Sequence, residues 1–178
     1  MKLKKQSVQL IVLLVSILYF YLLVKIILFK FGSPDLSFLL GQLRRLAENP
    51  GRLLRGLELG NLVPGYTIRQ NIDHLSNGTD KLNFFGNIAL FVPAGILIRI
   101  GLGRRLLLAV LISFAVSLGL EVSQLVLSIG TFDVDDLILN TSGGLIGYVL
   151  IRMAEALDAP FRRREQEEKQ ASSAPRLL

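Results

Sequence analysis

Six polar residues in the apolar part of this sequence are of types that bind ligands or transfer protons. They are Asn87, Glu121, Gln124, Asp133, Asp136 and Asn140. Carboxyl groups act as acids, bases or cation ligands, and amide groups orient them through hydrogen bonds. The segments around them are hydrophobic enough to lie in a bilayer, where ionisable side chains are costly and usually face a protein interior or a polar cavity. We therefore predict that these six residues form one binding site.

Helical spacing places the polar residues on single faces of three apolar segments. At about 100° per residue, a sector of roughly 80° on one segment holds Ser113, Ser117, Glu121, Gln124 and Ser128. Comparable faces hold Asn83, Gly86, Asn87, Leu90 and Ala94 on the preceding segment, and Asp136, Asn140, Gly143 and Gly147 on the following one. Small and polar residues on one side mark the faces that contact other helices in a membrane. The three faces are therefore predicted to converge.

Four further residues are assigned structural roles, and they are Pro93, Gly95, Gly143 and Gly147. The proline ring removes a backbone donor and frees the carbonyl of Ala89, so a kink is predicted there. The two glycines spaced four apart would let a neighbouring backbone approach closely. Asn87 and Asn140 could instead cap the backbone groups that the proline frees, and this alternative stays open.

The acids have no evident counter-charge. The four carboxyl groups belong to Glu121, Asp133, Asp135 and Asp136, and no Lys or Arg lies away from the ends of the apolar segments. Three explanations stay open: a basic side chain reaches in (Arg52, Arg55, Arg69 or Lys81), one or two carboxyls hold a proton because they are desolvated, or a cation or cationic substrate group fills the gap. Asp-Val-Asp-Asp lacks the spacing and the glycine of a calcium loop. Neither a metal ion nor another cofactor is predicted.

The same residues also have a purely structural interpretation. Glu121 and Gln124 could join the helices through hydrogen bonds, although such contacts contribute only about 0.6 kcal/mol on average. A desolvated Glu costs more than that, so ligand or proton handling is favoured. The acidic turn could be a solvated turn with a helix cap, and Asp135, out of phase with Asn140, is predicted to be a bystander.

The composition identifies the elements that must position the site. Hydrophobic residues make up 51% of the 178 residues, more than in ordinary soluble domains, which predicts an all-α integral membrane protein. Its single domain, residues 1–160, has about four transmembrane helices, predicted at 8–29, 81–100, 106–127 and 136–153. An amphipathic helical hairpin is predicted at 34–58, a loop at 61–80, and a charged tail, disordered or loosely helical, at 161–178. Without cysteine there is no disulfide or thiolate metal site.

Basic residues predict the orientation of the chain. They gather near the N-terminus, at 99–105 and at 152–164, and four spans put these three groups on one side, which should be the cytoplasm. The net charge of +6 then reflects orientation and anionic lipids, so nucleic acid is not an expected partner. Counted at about 1.5 Å per residue from Arg104, Glu121 lies about 25 Å into a core about 30 Å thick. The site is therefore predicted to face outward, with both termini and the tail cytoplasmic.

An ordered set of short motifs extends over about residues 60–150. It comprises Asn61-x-x-Pro64, Gly86-Asn87, Phe91-x-Pro93-x-Gly95, Glu121-x-x-Gln124, Phe132-Asp133-x-x-Asp136, and Asn140-Thr141-x-Gly143 with Gly147. The set resembles the VanZ-like family, named for a protein associated with teicoplanin resistance. Members often have an aromatic directly after the first proline, where this chain has Gly65 and then Tyr66, and the hairpin at 34–58 looks like an insertion. The resemblance implies a small multi-pass protein of the bacterial cytoplasmic membrane, linked to the cell envelope.

Three function classes are compatible with the sequence. The favoured one is an accessory protein of the envelope and of glycopeptide resistance, whose outward site binds an amphiphilic or lipid-linked molecule. The second is a membrane-embedded enzyme with Glu121 or Asp136 as acid or base on a lipid-linked substrate, although no nucleophile or metal motif accompanies them. The third is a small transporter, for which four spans are few unless the protein oligomerises. Membrane lipids are expected partners in each class, and an oligomer is compatible with all three.

Overall fold

The structure is a computed structural model that describes residues 2–29 and 35–173. Its helices are α1 (Lys2–Phe29), α2 (Leu36–Glu48), α3 (Gly51–Glu58), α4 (Tyr66–Asp73), α5 (Gly78–Leu102), α6 (Leu106–Leu127) and α7 (Val134–Ser173). The described residues contain no strand beyond one isolated parallel bridge between Asn61 and Asp133. The chain is therefore all-α, as predicted.

Four of the described helices are long and apolar enough to cross a membrane. The candidate spans are Gln6–Phe29, Gly78–Leu102, Leu106–Leu127 and Val134–Glu165. They occur in the predicted order and confirm a multi-pass membrane protein. α1 leaves large apolar side chains such as Leu13, Ile17 and Leu18 exposed, which suits a helix that faces lipid.

The amphipathic hairpin between the first two spans consists of α2 and α3. Asp35 caps α2, because its carboxylate accepts hydrogen bonds from the backbone N–H groups of Ser37 at 2.9 Å and Phe38 at 3.2 Å. Both helices of the hairpin contact α6. Residue 34, where the hairpin is predicted to begin, lies outside the described residues.

The helices α5 and α7 form the most extensive contact of the bundle. Gly143 and Gly147 of α7 lie against the backbone carbonyls of Ile88 and Val92, and Gly95 of α5 lies against the α7 backbone. A Cβ atom at any of these three glycines would overlap backbone atoms of the other helix. Such close approach is typical of small residues at helix crossings in membranes. The contact holds the N-terminal half of α5 beside the first turns of α7.

The first span closes the other side of α5 and α6. The buried residues where these three helices meet are Leu23, Phe91 and Leu120. Tyr19 donates its hydroxyl proton to the backbone carbonyl of Leu90 at 2.7 Å, three residues before Pro93. The bond lies in the turn where the proline lacks a backbone donor.

One segment differs from the prediction. Residues 61–80, predicted as a loop, contain the helix α4, which follows Gly65 in the left-handed conformation at φ +86°. The mostly polar sequence of α4 has too few apolar residues to show a helical period. For the tail, predicted as disordered or loosely helical, the structure shows a helix, because α7 continues through residues 161–173. Their Arg, Glu, Gln and Ala residues have high helix propensity.

Candidate functional site

The turn between α6 and α7 is joined to the segment that follows α3. The backbone N–H of Asn61 donates to the Phe132 carbonyl at 2.8 Å, and that of Val134 donates to the Asn61 carbonyl at 2.9 Å. A Cβ atom on Gly60 would overlap the same Phe132 carbonyl, so the two chain segments are in close contact. The acidic turn is therefore a fixed part of the fold.

Asp135 is the most deeply buried acid of this turn, with 0% of its surface exposed. Its carboxylate accepts hydrogen bonds from the backbone N–H groups of Gly65 at 2.6 Å and Ile68 at 3.0 Å, and from the Asn61 amide at 3.3 Å. The backbone donors belong to the start of α4, where the helix dipole also favours an anion. Asp135, predicted to be a bystander of the binding site, therefore has a structural role, because its partners lie at the start of α4 and in the segment before it.

Asp133 completes the attachment of α4. Its carboxylate accepts from the Asn61 amide at 2.9 Å, the Thr67 hydroxyl at 2.7 Å and the Asp135 backbone N–H at 2.8 Å. Asp133 and Asp135, here called the anchor acids, thus each receive three donors. Hydrogen bonds to carboxyl groups are among the strong ones, so the protein itself supplies most of the donors that either anchor acid can accept.

A second pair of acids, Glu121 and Asp136, lies beside the anchor and is here called the paired acids. Glu121 is 2% exposed and accepts from the Asp133 backbone N–H at 2.8 Å. Asp136 is half-buried and accepts from the Asn87 amide at 2.6 Å. The carboxyl groups of Glu121 and Asp136 are neighbours in the fold and interact electrostatically with each other.

None of the described basic side chains is ion-paired with these acids. Arg55, Arg69 and Lys81 form no such pair, and Arg52 donates instead to Gln42 at 3.2 Å. Among the described residues, no group of three or more acids or histidines could hold one metal ion. Of the three explanations for the missing counter-charge, the structure therefore gives no support to a basic side chain, and a retained proton and a cationic ligand group are the two that remain.

Two of the six predicted site residues lie outside the cluster. Asn140 is buried one turn further along α7 and donates its amide to the Ser117 hydroxyl of α6 at 2.9 Å. Gln124 faces α1, where its amide donates to the Ile27 carbonyl at 3.2 Å. Neither residue contacts the paired acids through these bonds. The predicted residues that the structure brings together are Asn87, Glu121, Asp133 and Asp136.

Asn61 and Thr67 belong to the cluster but were not predicted from the sequence. The Asn61 amide donates to Thr67 and to both anchor acids, which makes it the centre of the attachment. The sequence contains one indication that Asn61 matters. It lies three residues before Pro64 in the Asn61-x-x-Pro64 motif, which is part of the resemblance to the VanZ-like family, in a loop with no other assigned role. The Asn87 amide, which could have capped a group near Pro93, is instead bonded to Asp136.

Most of the bundle matches a known protein family. A family model described as VanZ/LLP1 matches residues 15–155, which include every acid of the cluster. No curated protein and no solved structure matches the chain. A match over this length, which exceeds half of the 178 residues, identifies the family. The chain belongs to the VanZ/LLP1 family.

Proposed function

We propose that this protein is an envelope accessory of the bacterial cytoplasmic membrane that binds an amphiphilic or lipid-linked molecule at its paired acids and contributes to glycopeptide resistance. One observation carries the proposal: within the described residues, Glu121 and Asp136 accept hydrogen bonds from one donor each, the Asp133 backbone N–H and the Asn87 amide. A carboxylate has about four acceptor sites. In this proposal the remaining sites of Glu121 and of the half-buried Asp136 bind hydroxyl or amino groups of a ligand.

The surface beside the acids supports an amphiphilic ligand. Leu62, Val63 and Tyr66 flank the attachment of α4 and are 54%, 64% and 55% exposed. Exposed apolar side chains that adjoin a polar site are typical of surfaces that bind amphiphiles or membrane. The hairpin adds the exposed Leu40 and Leu43 of α2, and amphipathic helices of this kind lie in the headgroup region. A ligand with a polar head and an apolar body would satisfy both surfaces.

The proposed orientation puts the paired acids at the outer face and both termini in the cytoplasm. Its support is the distribution of basic residues, since Arg99, Arg104 and Arg152 lie at the end of the bundle away from the acids. A reporter that fluoresces only in the cytoplasm, fused after the last residue, should therefore be bright. Alkaline phosphatase, which is active only outside, should be inactive at the same position, and the reverse pattern would contradict the orientation.

The function is tested by substituting the paired acids in a susceptible bacterial host. Glu121→Gln and Asp136→Asn keep the side-chain volume but remove the charge, and each should abolish the increase in the minimal inhibitory concentration of teicoplanin that the wild-type chain confers. Asp73→Asn, an exposed acid on α4, is the matched control and should retain it. Membrane abundance is measured in parallel by immunoblot.

Three outcomes separate the explanations. Loss of resistance at unchanged abundance supports a ligand site. Loss of the protein itself from the membrane means that the paired acids serve packing. Resistance that persists in both variants, or a wild-type chain that confers none, contradicts the proposal.

A second candidate is acid–base catalysis on a lipid-linked envelope precursor, and the adjacency of Glu121 and Asp136 favours it. Two adjacent carboxyl groups can act as acid and base in one reaction when one is protonated and the other is ionised. Incubation of the purified protein with lipid-linked precursors, followed by mass spectrometry, would show a product that Glu121→Gln fails to form. Precursors that bind but keep their mass would leave binding as the function.

A further inference from the structure

A polar cavity lies at the opposite end of the bundle from the acids. Its volume is about 360 Å³, and its walls come from the C-terminal end of α5, the start of α6 and the middle of α7. The charged and aromatic residues that line it are Arg99, Arg104, Tyr148, Arg152 and Glu155. In the sequence these arginines serve only as an orientation signal. In the structure they surround one space.

Arg99 is the buried donor of this cavity. It is only 7% exposed although it carries a permanent positive charge. Its Nη2 forms an ion pair with Glu155, and its Cζ lies 5.9 Å from the centroid of the Tyr148 ring. The Nε–H of the same guanidinium is buried and has no acceptor in the part of the chain that the structure describes. A buried charged donor without an acceptor is strongly unfavourable, which points to an acceptor supplied by a ligand.

The cavity also has an excess of positive charge. Three arginines and one glutamate line it, which leaves a formal charge of +3 − 1 = +2. Arg104 and Arg152 are exposed at the rim, and neither is ion-paired within residues 35–173. Guanidinium groups present forked N–H donors that match the oxygens of phosphate. Basic pockets between transmembrane helices on the cytoplasmic side are known as sites for phosphate-bearing lipid headgroups.

We propose that this cavity binds a phosphate group, with Arg99 as the buried donor and Arg104 and Arg152 as the rim. The phosphate belongs to an anionic lipid headgroup or to a free phosphate, since both present the same oxygens. A volume of about 360 Å³ suits a headgroup and not a whole lipid. The site uses none of the paired acids, so it stands independently of the function proposed for them.

The test uses the full-length protein in an uncharged detergent, titrated with dioctanoyl phosphatidic acid, inorganic phosphate and dioctanoylglycerol, which lacks a phosphate. Arg104→Gln and Arg152→Gln should each weaken the binding of phosphatidic acid about fivefold, the contribution of one basic residue near a membrane surface. Arg105→Gln is the matched control, because it removes the same charge from the next position, which does not line the cavity. The affinity of this control should be unchanged.

Arg99→Lys separates binding from folding. It retains a charge for Glu155 but loses the Nε–H and the planar fork, so it should weaken phosphate binding more than either rim variant while the melting temperature stays near that of the wild type. Binding of phosphatidic acid and inorganic phosphate alike would identify the phosphate group itself as the ligand, and binding of phosphatidic acid alone would identify a lipid headgroup. Absent binding, equal binding of dioctanoylglycerol, or equal weakening by Arg105→Gln and Arg104→Gln would overturn the proposal.

Discussion

Replacement of Asp135 by Asn should release α4 from the bundle without unfolding the spans. The carboxylate accepts from Gly65, Ile68 and Asn61, and an amide retains only one acceptor oxygen for these three donors. At least one half-buried backbone N–H, that of Gly65 or Ile68, then faces an NH₂ group and has no acceptor. A lost hydrogen bond to a charged group costs about 1.5–3 kcal/mol, and this cost falls on the local opening of α4.

Hydrogen–deuterium exchange of the detergent-solubilised protein measures this opening directly. A loss of about 1.5–3 kcal/mol corresponds to a fall of about ten- to a hundredfold in the protection of the amides in residues 66–73. Amides of α5, α6 and α7 should keep their protection, because the bonds between these helices do not involve Asp135. Local opening of this kind is the expected behaviour of a short element held by few contacts.

The control is Asp73→Asn, which changes the same residue type on α4 at an exposed position. Its exchange should equal that of the wild type. If Asp135→Asn also leaves the exchange of residues 66–73 unchanged, the carboxylate does not hold α4, and the assignment of Asp135 as an anchor acid fails. If the spans lose protection together with α4, the anchor is part of the global core and not a local attachment.

Three further predictions follow from the same contacts. Gly147→Ala should lower the melting temperature, because its Cβ would overlap the Val92 carbonyl and overpacking costs about 1–3 kcal/mol, whereas Gly119→Ala, with open space around it, should not. Tyr19→Phe should destabilise the protein by about 0.6 kcal/mol, a typical interhelical hydrogen bond in a membrane, and denaturant titration would measure it. A double-mutant cycle of Asp135→Asn with Glu121→Gln should be non-additive by about 0.5–3 kcal/mol in thermal unfolding, and additivity would show that the anchor and the paired acids are independent.

The spans could be predicted because their signal is local. A run of apolar residues identifies each of the four membrane helices, and helical periodicity places Glu121 and Asp136 on faces that meet. The pairing of Asn87 with Asp136 follows from the same periodicity combined with the glycine contacts between α5 and α7. Residues that act through the regular geometry of a helix are therefore accessible from the sequence alone.

The attachment of α4 could not be predicted because its bonds are long-range and irregular. Asn61 lies 72 positions before Asp133, and no periodicity relates a residue in a turn to a residue in a distant loop. For Gln124, the helical face is predicted but the partner is not. It shares the helical sector of Glu121, yet its position one turn nearer the end of α6 brings it to the Ile27 carbonyl of α1. A shared face restricts the direction of a side chain but does not select its partner.

Asp133 connects the attachment of α4 to the paired acids, so the acidic turn is more than a link between α6 and α7. Its carboxylate holds α4, while its backbone N–H donates to Glu121 at 2.8 Å. The turn therefore places a backbone N–H donor, as well as the two acidic side chains of Asp133 and Asp135, beside the paired acids. Because Asp133 is bonded both to Thr67 of α4 and to Glu121, we expect a displacement of α4 to shift the carboxyl group of Glu121. Substitutions in residues 61–68 should consequently impair the proposed function as substitutions of the acids in the spans do.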